Sequence, residues 1–391
     1  MKYKKEIWQE FSFPEIIDYQ EGPGILKKDF SSHGIPLIRL AGMDDGVSLL
    51  NGCNYLKPEL VKRKYEHFKI KAGDIILSTS ATIGKTAVVD EEAEGSIIYT
   101  GLIRMRPQST LLCNSYLRIM LQSPGFTDQI FSMGVGSVMK HFGPTHLKRI
   151  LINLPPLEEQ KRIAALFQSI DAAIEQDEAQ EKNLLDLKKK LLNELFNGKL
   201  NFGNYLQPND YKTTSFESIA KHISERIEPG NSTAEIYVGL EHLDSDNLRI
   251  ERTGKPADVK GTKLKVYNDD IIFGKRRAYL RKVAVSHFDG ICSAHSMVLR
   301  AIKENIEKEF LPFFMQSDYF MDRAVQISEG SLSPTIKWKV LAKQEFHLPK
   351  KEKQNILVTL FKQIDNTIFE ISSFKTNLKN LKQNLLDEIL G

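Results

Sequence analysis

Residues 154–197 read LPPLEEQKRIAALFQSIDAAIEQDEAQEKNLLDLKKKLLNELFN, and residues 348–391 read LPKKEKQNILVTLFKQIDNTIFEISSFKTNLKNLKQNLLDEILG. The two segments align without a gap at a constant offset of 194 residues, with 16 identities. Each follows a stretch long enough to form a globular domain. The chain is therefore a tandem duplication, whose two units a pseudo-twofold axis can relate.

Each copy predicts one long helix. A Leu-Pro pair disfavours helix at the leucine, and about 40 residues without glycine or proline follow it. The helices carry a heptad stripe of apolar residues, which is typical of a coiled coil. We expect these stripe residues to pair the helices and to form a partner-docking surface: Ile163, Ile170, Leu184, Leu191, Leu357, Ile364, Ile371, Leu378 and Leu385. A weaker second row includes Leu166, Ala173, Leu187, Leu360, Phe374 and Leu381.

The helix lengths predict how the two copies are arranged. At 1.5 Å per residue each helix is about 60 Å long, whereas residues 197–211 span at most about 50 Å when fully extended. The second helix is therefore expected to run antiparallel to the first, with the globular stretches at opposite ends. The resulting α+β architecture has four segments: a head at 1–153, a spacer helix at 154–198, a second head at 199–347 and a second spacer helix at 348–391.

Both heads read as β-rich. Short Val, Ile and Tyr runs lie between Gly, Asn and Asp turns, which is typical of strands; they are Ile35–Leu40, Asp74–Leu77, Thr86–Val89, Ile97–Tyr99, Ile236–Leu240 and Lys282–Ser286. The heads also echo each other, since Asp74-Ile75-Ile76 matches Asp270-Ile271-Ile272. The segments that follow these matches differ completely, as expected of two related modules that read different ligands.

Composition is that of a soluble globular protein, with 41% hydrophobic and 27% charged residues and a net charge of +4. No stretch approaches the roughly 18 apolar residues that a membrane helix needs, so a cytoplasmic protein is expected. Cys53, Cys113 and Cys292 lie far apart with no histidine at ligand spacing. The sequence therefore predicts neither disulfides nor a metal site.

Several short motifs resemble catalytic patterns but are incomplete. Gly84-Lys85-Thr86 would need a glycine at position 79 to form a phosphate-binding loop, and Thr79 stands there. The run 134–137 lacks the third glycine of a dinucleotide fingerprint, and a leucine interrupts the methyltransferase-like tetrad at 153–156. These departures argue against an enzyme and favour a binding protein.

The chain resembles the specificity subunit of type I restriction-modification systems. The resemblance rests on LPPLEEQ opening a long duplicated helix, with GDIILSTSATIGKTAVV at 73–89 and YVGLEHLD at 237–244 inside the heads. It covers essentially the whole chain in the order head, helix, head, helix. The second copy departs from the motif, because LPKKEKQ replaces LPPLEEQ.

The resemblance implies a non-catalytic subunit that binds double-stranded DNA. Each head would be a target-recognition domain for one half-site, and the helices would set the gap and dock two methyltransferase subunits. Those partners would methylate adenine with S-adenosylmethionine, and restriction subunits would add ATP- and Mg²⁺-dependent cleavage, so no cofactor is expected in this chain. The alternative is a helical-rod scaffold that joins partner proteins without DNA.

Basic and hydroxyl residues beside turn signals are the candidate DNA contacts. Arginine forks can pair with guanine in the major groove, or these cations can bind phosphates only, and the sequence leaves both open. The candidates are Ser80, Thr82, Lys85, Arg104, Arg106, Lys140 and His141 in the first head, and Lys275, Arg276, Arg277, Tyr279, Arg281, Ser333 and Lys337 in the second. A further basic cluster, Lys62-Arg63-Lys64, is a solvated face in the simplest interpretation.

Overall fold

The computed structural model describes residues 5–44, 47–80, 83–133, 142–196 and 205–391. It divides into two compact units, of which unit 1 comprises Met1–Asp177 and Phe374–Gly391, and unit 2 comprises Glu178–Ser373. Each unit thus contains one head together with part of each long helix.

The head of unit 1 is formed by short strands and short helices. Its strands are β1 (Gln9–Ser12), β2 (Ile17–Glu21), β3 (Phe30–Ser31), β4 (Ile35–Ile38), β5 (Asn54–Leu56), β6 (Ile75–Ser78), β7 (Thr86–Val88), β8 (Ile97–Ile98), β9 (Leu102–Pro107) and β10 (Leu151–Leu154). Its helices are α1 (Phe13–Ile16), α2 (Pro58–Leu60), α3 (Asn114–Met120), α4 (Pro124–Ser132) and α5 (Pro144–Leu147), and a π-helical turn covers Val61–Tyr65. The long helix α6 (Leu157–Phe196) begins here.

The head of unit 2 repeats this order. Its strands are β11 (Tyr211–Ser215), β12 (Ala220–Ile223), β13 (Arg226–Ile227), β14 (Tyr237–Val238), β15 (Lys263–Val266), β16 (Ile271–Phe273), β17 (Val283–Val285), β18 (Gly290–Cys292), β19 (Met297–Ala301) and β20 (Glu345–Pro349). Its helices are α7 (Phe216–Ile219), α8 (Phe310–Gln316), α9 (Asp318–Gln326) and α10 (Trp338–Leu341), and the long helix α11 (Lys351–Leu390) follows.

The two heads have the same strand order in one sheet and different strand orders in a second. An antiparallel sheet has the order β2-β9-β6-β7 in unit 1 and β12-β19-β16-β17 in unit 2. A second sheet contains a parallel pair in each head, β4 with β8 and β14 with β18. The heads differ at this second sheet, because β5 joins β4 whereas β15 joins β18. All six predicted strand segments are confirmed. The prediction that the two heads are related modules is also confirmed.

The central strand of each antiparallel sheet packs on both faces. In unit 1, Ile75 and Leu77 contribute to one apolar cluster and Ile76 to another. In unit 2, Ile271 and Phe273 face one cluster while Ile272 faces a second. Because side chains alternate across a strand, a continuous apolar run is what such a doubly covered strand requires.

Each long helix is fixed to its own head by a buried glutamine. Gln160 accepts a hydrogen bond from the Cys113 amide (2.8 Å) and donates to the carbonyls of Leu111 (2.7 Å) and Pro155 (2.8 Å). Gln354, at the equivalent position of the repeat, accepts from the Glu307 amide (2.8 Å) and donates to the Pro349 carbonyl (2.8 Å). A buried amide with its hydrogen bonds made is a strong orientational constraint. This explains why glutamine is among the 16 identities of the duplicated segment.

The two predicted long helices are confirmed, since α6 and α11 each span 40 residues. Unit 1 holds the start of α6 and the end of α11, and unit 2 holds the end of α6 and the start of α11. Within each unit an ion pair joins the helices. Asp171 pairs with Lys382 at 2.7 Å in unit 1, and Lys188 pairs with Asp365 at 2.6 Å in unit 2. The two pairs are related by the 194-residue offset, as a duplicated antiparallel pair requires.

The predicted helix stripe is buried along one row only. Ile163, Ile170, Leu357 and Ile364 are buried, and Leu184, Leu191, Ile371, Leu378 and Leu385 are half-buried. The weaker second row is wrong in part, because Leu187, Phe374 and Leu381 are exposed. A single neighbouring helix covers only a narrow stripe, so the outer row stays in contact with solvent.

Candidate nucleic-acid interface

Two loops that are far apart in sequence meet in unit 2. The first loop (residues 274–282) joins β16 to β17, and the second loop (residues 327–337) joins α9 to α10. The Arg277 amide donates to the Pro334 carbonyl at 2.8 Å, and the Ile336 amide donates to the Lys275 carbonyl at 3.0 Å. The sequence proposed candidates in both loops, and the structure brings them onto one surface, which we call the unit 2 loop pair.

Unit 1 has an equivalent connection between its loops. The Phe142 amide donates to the Thr79 carbonyl at 3.2 Å, and Phe142 corresponds to Ile336 at the repeat offset. The predicted contacts Thr82, Lys140 and His141 lie outside the described residues. One of the two hydrogen bonds that join the loops in unit 2 therefore has a counterpart in unit 1.

Arg277 is an exposed cation of the unit 2 loop pair. Its backbone is in the left-handed region, at φ 56° and ψ 56°, which is unfavourable for a residue with a β-carbon. The side chain is exposed, and among the described residues no hydrogen-bond or ion-pair partner contacts its guanidinium. Tyr279, two residues on, is also exposed. Both side chains are available to a ligand.

Arg276 is oriented by two neighbours. One terminal nitrogen lies 3.2 Å from Nε2 of His295, and the other donates to the Ser333 hydroxyl at 3.2 Å. A guanidinium only donates, so the His295 ring accepts through Nε2. Burial lowers the pKa of His295 below its ordinary value, and the charges of Arg276 and Lys275 lower it further. The lowered pKa favours the neutral ring, which serves as an acceptor that positions Arg276.

The base of the unit 2 loop pair concentrates positive charge. Lys275 is half-buried, and burial together with the nearby Arg226 lowers the pKa of its amine. Burial, followed by the charge of Lys275, also lowers the pKa of His222. Positive charge gathered at one place in this way attracts a polyanion.

Ser333 and Lys337, the two predicted DNA contacts of the second loop, have polar groups near the surface. Ser333 receives the hydrogen bond from Arg276, and its carbonyl accepts from the Thr335 hydroxyl at 3.1 Å. Lys337 forms an ion pair with Glu329 at 2.5 Å, and both side chains are largely exposed. Exposed pairs of this kind contribute about 0 to 1 kcal/mol, so a phosphate can compete for the lysine.

Arg281, also predicted as a DNA contact, has its guanidinium engaged by neighbouring groups. Its Nε pairs with Asp246 at 2.7 Å, one terminal nitrogen pairs with Asp318 at 2.8 Å, and the other donates to the Gln316 carbonyl at 2.5 Å. The side chain is largely buried. Its donors are therefore used in holding the first loop against α9.

The two arginines on β9 that were predicted as DNA contacts are held by carboxylates. Arg104 is buried and pairs with Asp18 at 2.8 Å. Arg106 forms a fork on Asp74, with distances of 2.7 and 2.6 Å. The repeat has the same fork in unit 2, where Arg300 binds Asp270 at 2.6 and 2.9 Å. An aspartate and an arginine thus pair in both copies, 32 residues apart in unit 1 and 30 residues apart in unit 2.

The remaining candidates of unit 1 are partly engaged. Lys85 pairs with Asp44 at 2.7 Å, and its amide donates to the Ser78 hydroxyl at 3.0 Å. Ser80 is half-buried in the same loop. The cluster Lys62-Arg63-Lys64, which the sequence predicts to be a solvated face in the simplest interpretation, is exposed on the π-helical turn. It has no partner among the described residues. It is the more available cationic surface of this head.

Comparison with known proteins places this geometry in a family. The profile described as "Type I restriction modification DNA specificity domain" matches residues 5–186 and 235–381. The putative type I restriction enzyme MjaX specificity subunit of Methanocaldococcus jannaschii is 22% identical over 98% of this chain and 93% of its own length. The EcoKI specificity subunit of Escherichia coli is 22% identical over 92% of this chain and 82% of its own length.

Solved structures agree at the level of the fold. The crystal structure of the type I restriction-modification S subunit from M. genitalium covers 97% of this chain and 95% of its own, with a TM-score of 0.59 and 15% identity. A second solved structure comes from work on the complex assembly and conformational transition of the type I R-M system. It covers 97% of this chain and 96% of its own, with a TM-score of 0.58 and 18% identity. Both spans include the two heads and both long helices.

The chain belongs to the family of type I restriction-modification specificity subunits. The resemblance inferred from the duplicated LPPLEEQ helix is thus confirmed, as is the predicted fold class. Its relatives are named as specificity subunits, the non-catalytic component of these systems, which confirms the prediction that the chain is not itself an enzyme. In the part of the chain that the structure describes, no helix is long and apolar enough to cross a membrane.

Proposed function

We propose that the chain reads a bipartite site on double-stranded DNA, with each head acting as the target-recognition domain for one half-site. The observation that carries the proposal is the pair of heads whose antiparallel sheets have the same strand order but whose joined loops differ. The first loop is rich in arginine in unit 2 and in serine and threonine in unit 1. Different side chains on one scaffold favour different base sequences, so the two halves of the site are expected to be unrelated.

We further propose that the helices set the gap between the half-sites, in keeping with the four-segment division at 1–153, 154–198, 199–347 and 348–391. Each helix spans 40 residues, which corresponds to about 60 Å. A separation of roughly 40 to 60 Å corresponds to about 12 to 18 base pairs of B-DNA. The buried glutamines Gln160 and Gln354 support this role, because each fixes one helix to its own head.

The helices are also the proposed docking surface for two methyltransferase subunits. Leu187 and Leu381 occupy equivalent positions of the repeat and are 44% and 47% exposed. Apolar side chains that repeat on the outer row of both helices suit two equivalent protein contacts. Catalysis belongs to the partners in this proposal: methyltransferases with S-adenosylmethionine, and restriction subunits with ATP and Mg²⁺, all in the cytoplasm.

Single substitutions on the outer row are expected to halve the binding of methyltransferase. Leu187→Glu removes one apolar contact and Leu381→Glu the other, so each variant should bind one methyltransferase subunit and the double variant none. The matched control is Lys189→Glu, an exposed polar position of the same helix. Native mass spectrometry gives the stoichiometry directly. Two bound subunits in either single variant would contradict the proposed docking positions.

The proposed function is tested by reconstitution. The chain mixed with its methyltransferase should methylate adenine in a gapped DNA site with S-adenosylmethionine as donor, and sequencing of the methylated DNA should reveal two unrelated half-sites. The chain alone should show no methylation. Methylation by the chain alone, or a continuous ungapped site, would refute the proposal.

The rival function is a scaffold that joins proteins without DNA. It predicts that the reconstituted complex shows no salt-dependent DNA binding, whereas a DNA reader loses affinity steeply as salt rises. The cluster of Lys275, Arg276 and the exposed Arg277 in the unit 2 loop pair favours the DNA reader.

A further inference from the structure

A single leucine projects from the second loop of unit 2. Leu332 is 91% exposed, whereas the next most exposed large apolar side chain of the described residues, Leu26, is 61% exposed. A lone exposed leucine is common on protein surfaces, and exposure by itself carries no inference. The position of Leu332 and the chemistry of its neighbours are what matter.

The tip that carries Leu332 is held in a defined conformation. The Glu329 amide donates to the Thr335 carbonyl at 3.1 Å and the Thr335 amide donates back to Glu329 at 2.9 Å, which closes the turn. Gly330 lies at φ 108°, a conformation that favours glycine. A closed turn loses little conformational entropy when its tip meets a ligand.

Cations lie directly beside this apolar tip. The guanidinium of Arg276 donates to the hydroxyl of Ser333, the residue after Leu332, at 3.2 Å. The Arg277 amide donates to the carbonyl of Pro334 at 2.8 Å, and its side chain is free among the described residues. An apolar tip flanked by guanidinium groups complements double-stranded DNA, in which an apolar base stack lies between two anionic backbones.

The repeat carries the same pattern in sequence. Gly136-Ser137-Val138 aligns with Gly330-Ser331-Leu332 at the 194-residue offset, so each copy has an aliphatic residue after Gly-Ser. Residues 136–138 lie outside the described residues. The duplicated sequence indicates that an aliphatic side chain at this point belongs to the module.

We propose that Leu332 is a wedge that presses into a base step of the half-site read by the unit 2 head, with Arg276 and Arg277 contacting the DNA next to it. This inference rests on the proposed function. Leucine is among the side chains that proteins insert between base steps. Pyrimidine–purine steps unstack most readily, so the wedge adds selectivity for a deformable step beyond the bases that the arginines read.

The test uses the full chain in complex with its methyltransferase and a duplex that contains the site found by methylation sequencing. 2-Aminopurine is placed at successive positions of the half-site read by unit 2, but not at the target adenine. One position should brighten several-fold on binding, because 2-aminopurine fluoresces when it is unstacked. Leu332→Ala should abolish this brightening and lower the affinity about tenfold, while Leu332→Phe should retain both. Leu26→Ala, which removes an exposed leucine from the other head, should change neither.

The outcomes separate the wedge from the function on which it rests. If the wild-type complex does not bind the duplex, the proposed function fails and the wedge with it. If the wild-type complex binds and Leu332→Ala brightens and binds equally well, only the wedge is overturned. Weaker association of Leu332→Ala with the methyltransferase, with unchanged DNA contacts, would also overturn it in favour of a protein contact. Thermal unfolding of Leu332→Ala should match the wild type, since its side chain is almost wholly exposed.

Discussion

Replacing Lys188 with methionine is expected to lower the free energy of unfolding of unit 2 by about 3 to 5 kcal/mol. The Lys188 side chain is only 5% exposed, and its amine lies 2.6 Å from Asp365 and 5.3 Å from the Phe313 ring centroid. Burial lowers the pKa of this lysine even though Asp365 opposes the shift. Methionine keeps the length of the side chain but leaves the Asp365 carboxylate without its counter-charge. Chemical denaturation followed by circular dichroism measures the loss.

Two matched variants identify the cause of that loss. Lys188→Met combined with Asp365→Leu removes both charges and should recover most of the stability, because an apolar pair of similar volume often replaces a buried ion pair without cost. Lys382→Met breaks the equivalent pair in unit 1, where the lysine side chain is 20% exposed, so a smaller loss is expected. A loss below about 1 kcal/mol for Lys188→Met would show that the pair contributes no more than a surface ion pair.

Replacing Arg277 with glycine is expected to reduce the affinity for the DNA site about 10- to 100-fold, with discrimination lost at one base pair of one half-site. The guanidinium is exposed and has no partner among the described residues. Glycine also suits the backbone at φ 56°, so the variant should be at least as stable as the wild type. Loss of binding would therefore not result from unfolding. Equilibrium binding to the site and to single-base variants, at several salt concentrations, measures both effects.

The control for this prediction is Arg323→Ala, which removes an exposed arginine of α9 outside the loop pair. It should leave base discrimination unchanged. If Arg277→Gly weakens binding evenly across all sequences and reduces the salt dependence by about one phosphate contact, Arg277 binds the backbone and reads no base. Unchanged affinity would exclude Arg277 from the interface.

The helices and strands could be predicted from the sequence because the patterns that indicate them are local. A duplicated segment, a heptad stripe and apolar runs between turn residues depend on residues near one another in the chain, and α6, α11 and the six predicted strands are all present. The overprediction of the outer row has a simple cause. A heptad pattern shows which residues are apolar, but it does not show how many neighbouring helices will cover them.

The available cations could not be identified in the same way. Arg277 and Arg281 stand four residues apart, yet the first is exposed, while the second is bound by Asp246 and Asp318. Arg104 and Arg106 likewise meet Asp18 and Asp74, which are 86 and 32 residues away in the chain. An ion pair between residues so far apart in the chain produces no repeating pattern in the sequence.

By itself the sequence determined that this protein is a doubled module with a long helix in each copy, and that its heads share one scaffold with unlike loops. Only the tertiary structure decided which basic side chains stabilise the heads and which are available, and that the loops carrying Arg277 and Leu332 lie together. The physical reason is that periodicity and turn chemistry act over a few residues, whereas ion pairing and burial depend on which distant segments meet when the chain folds.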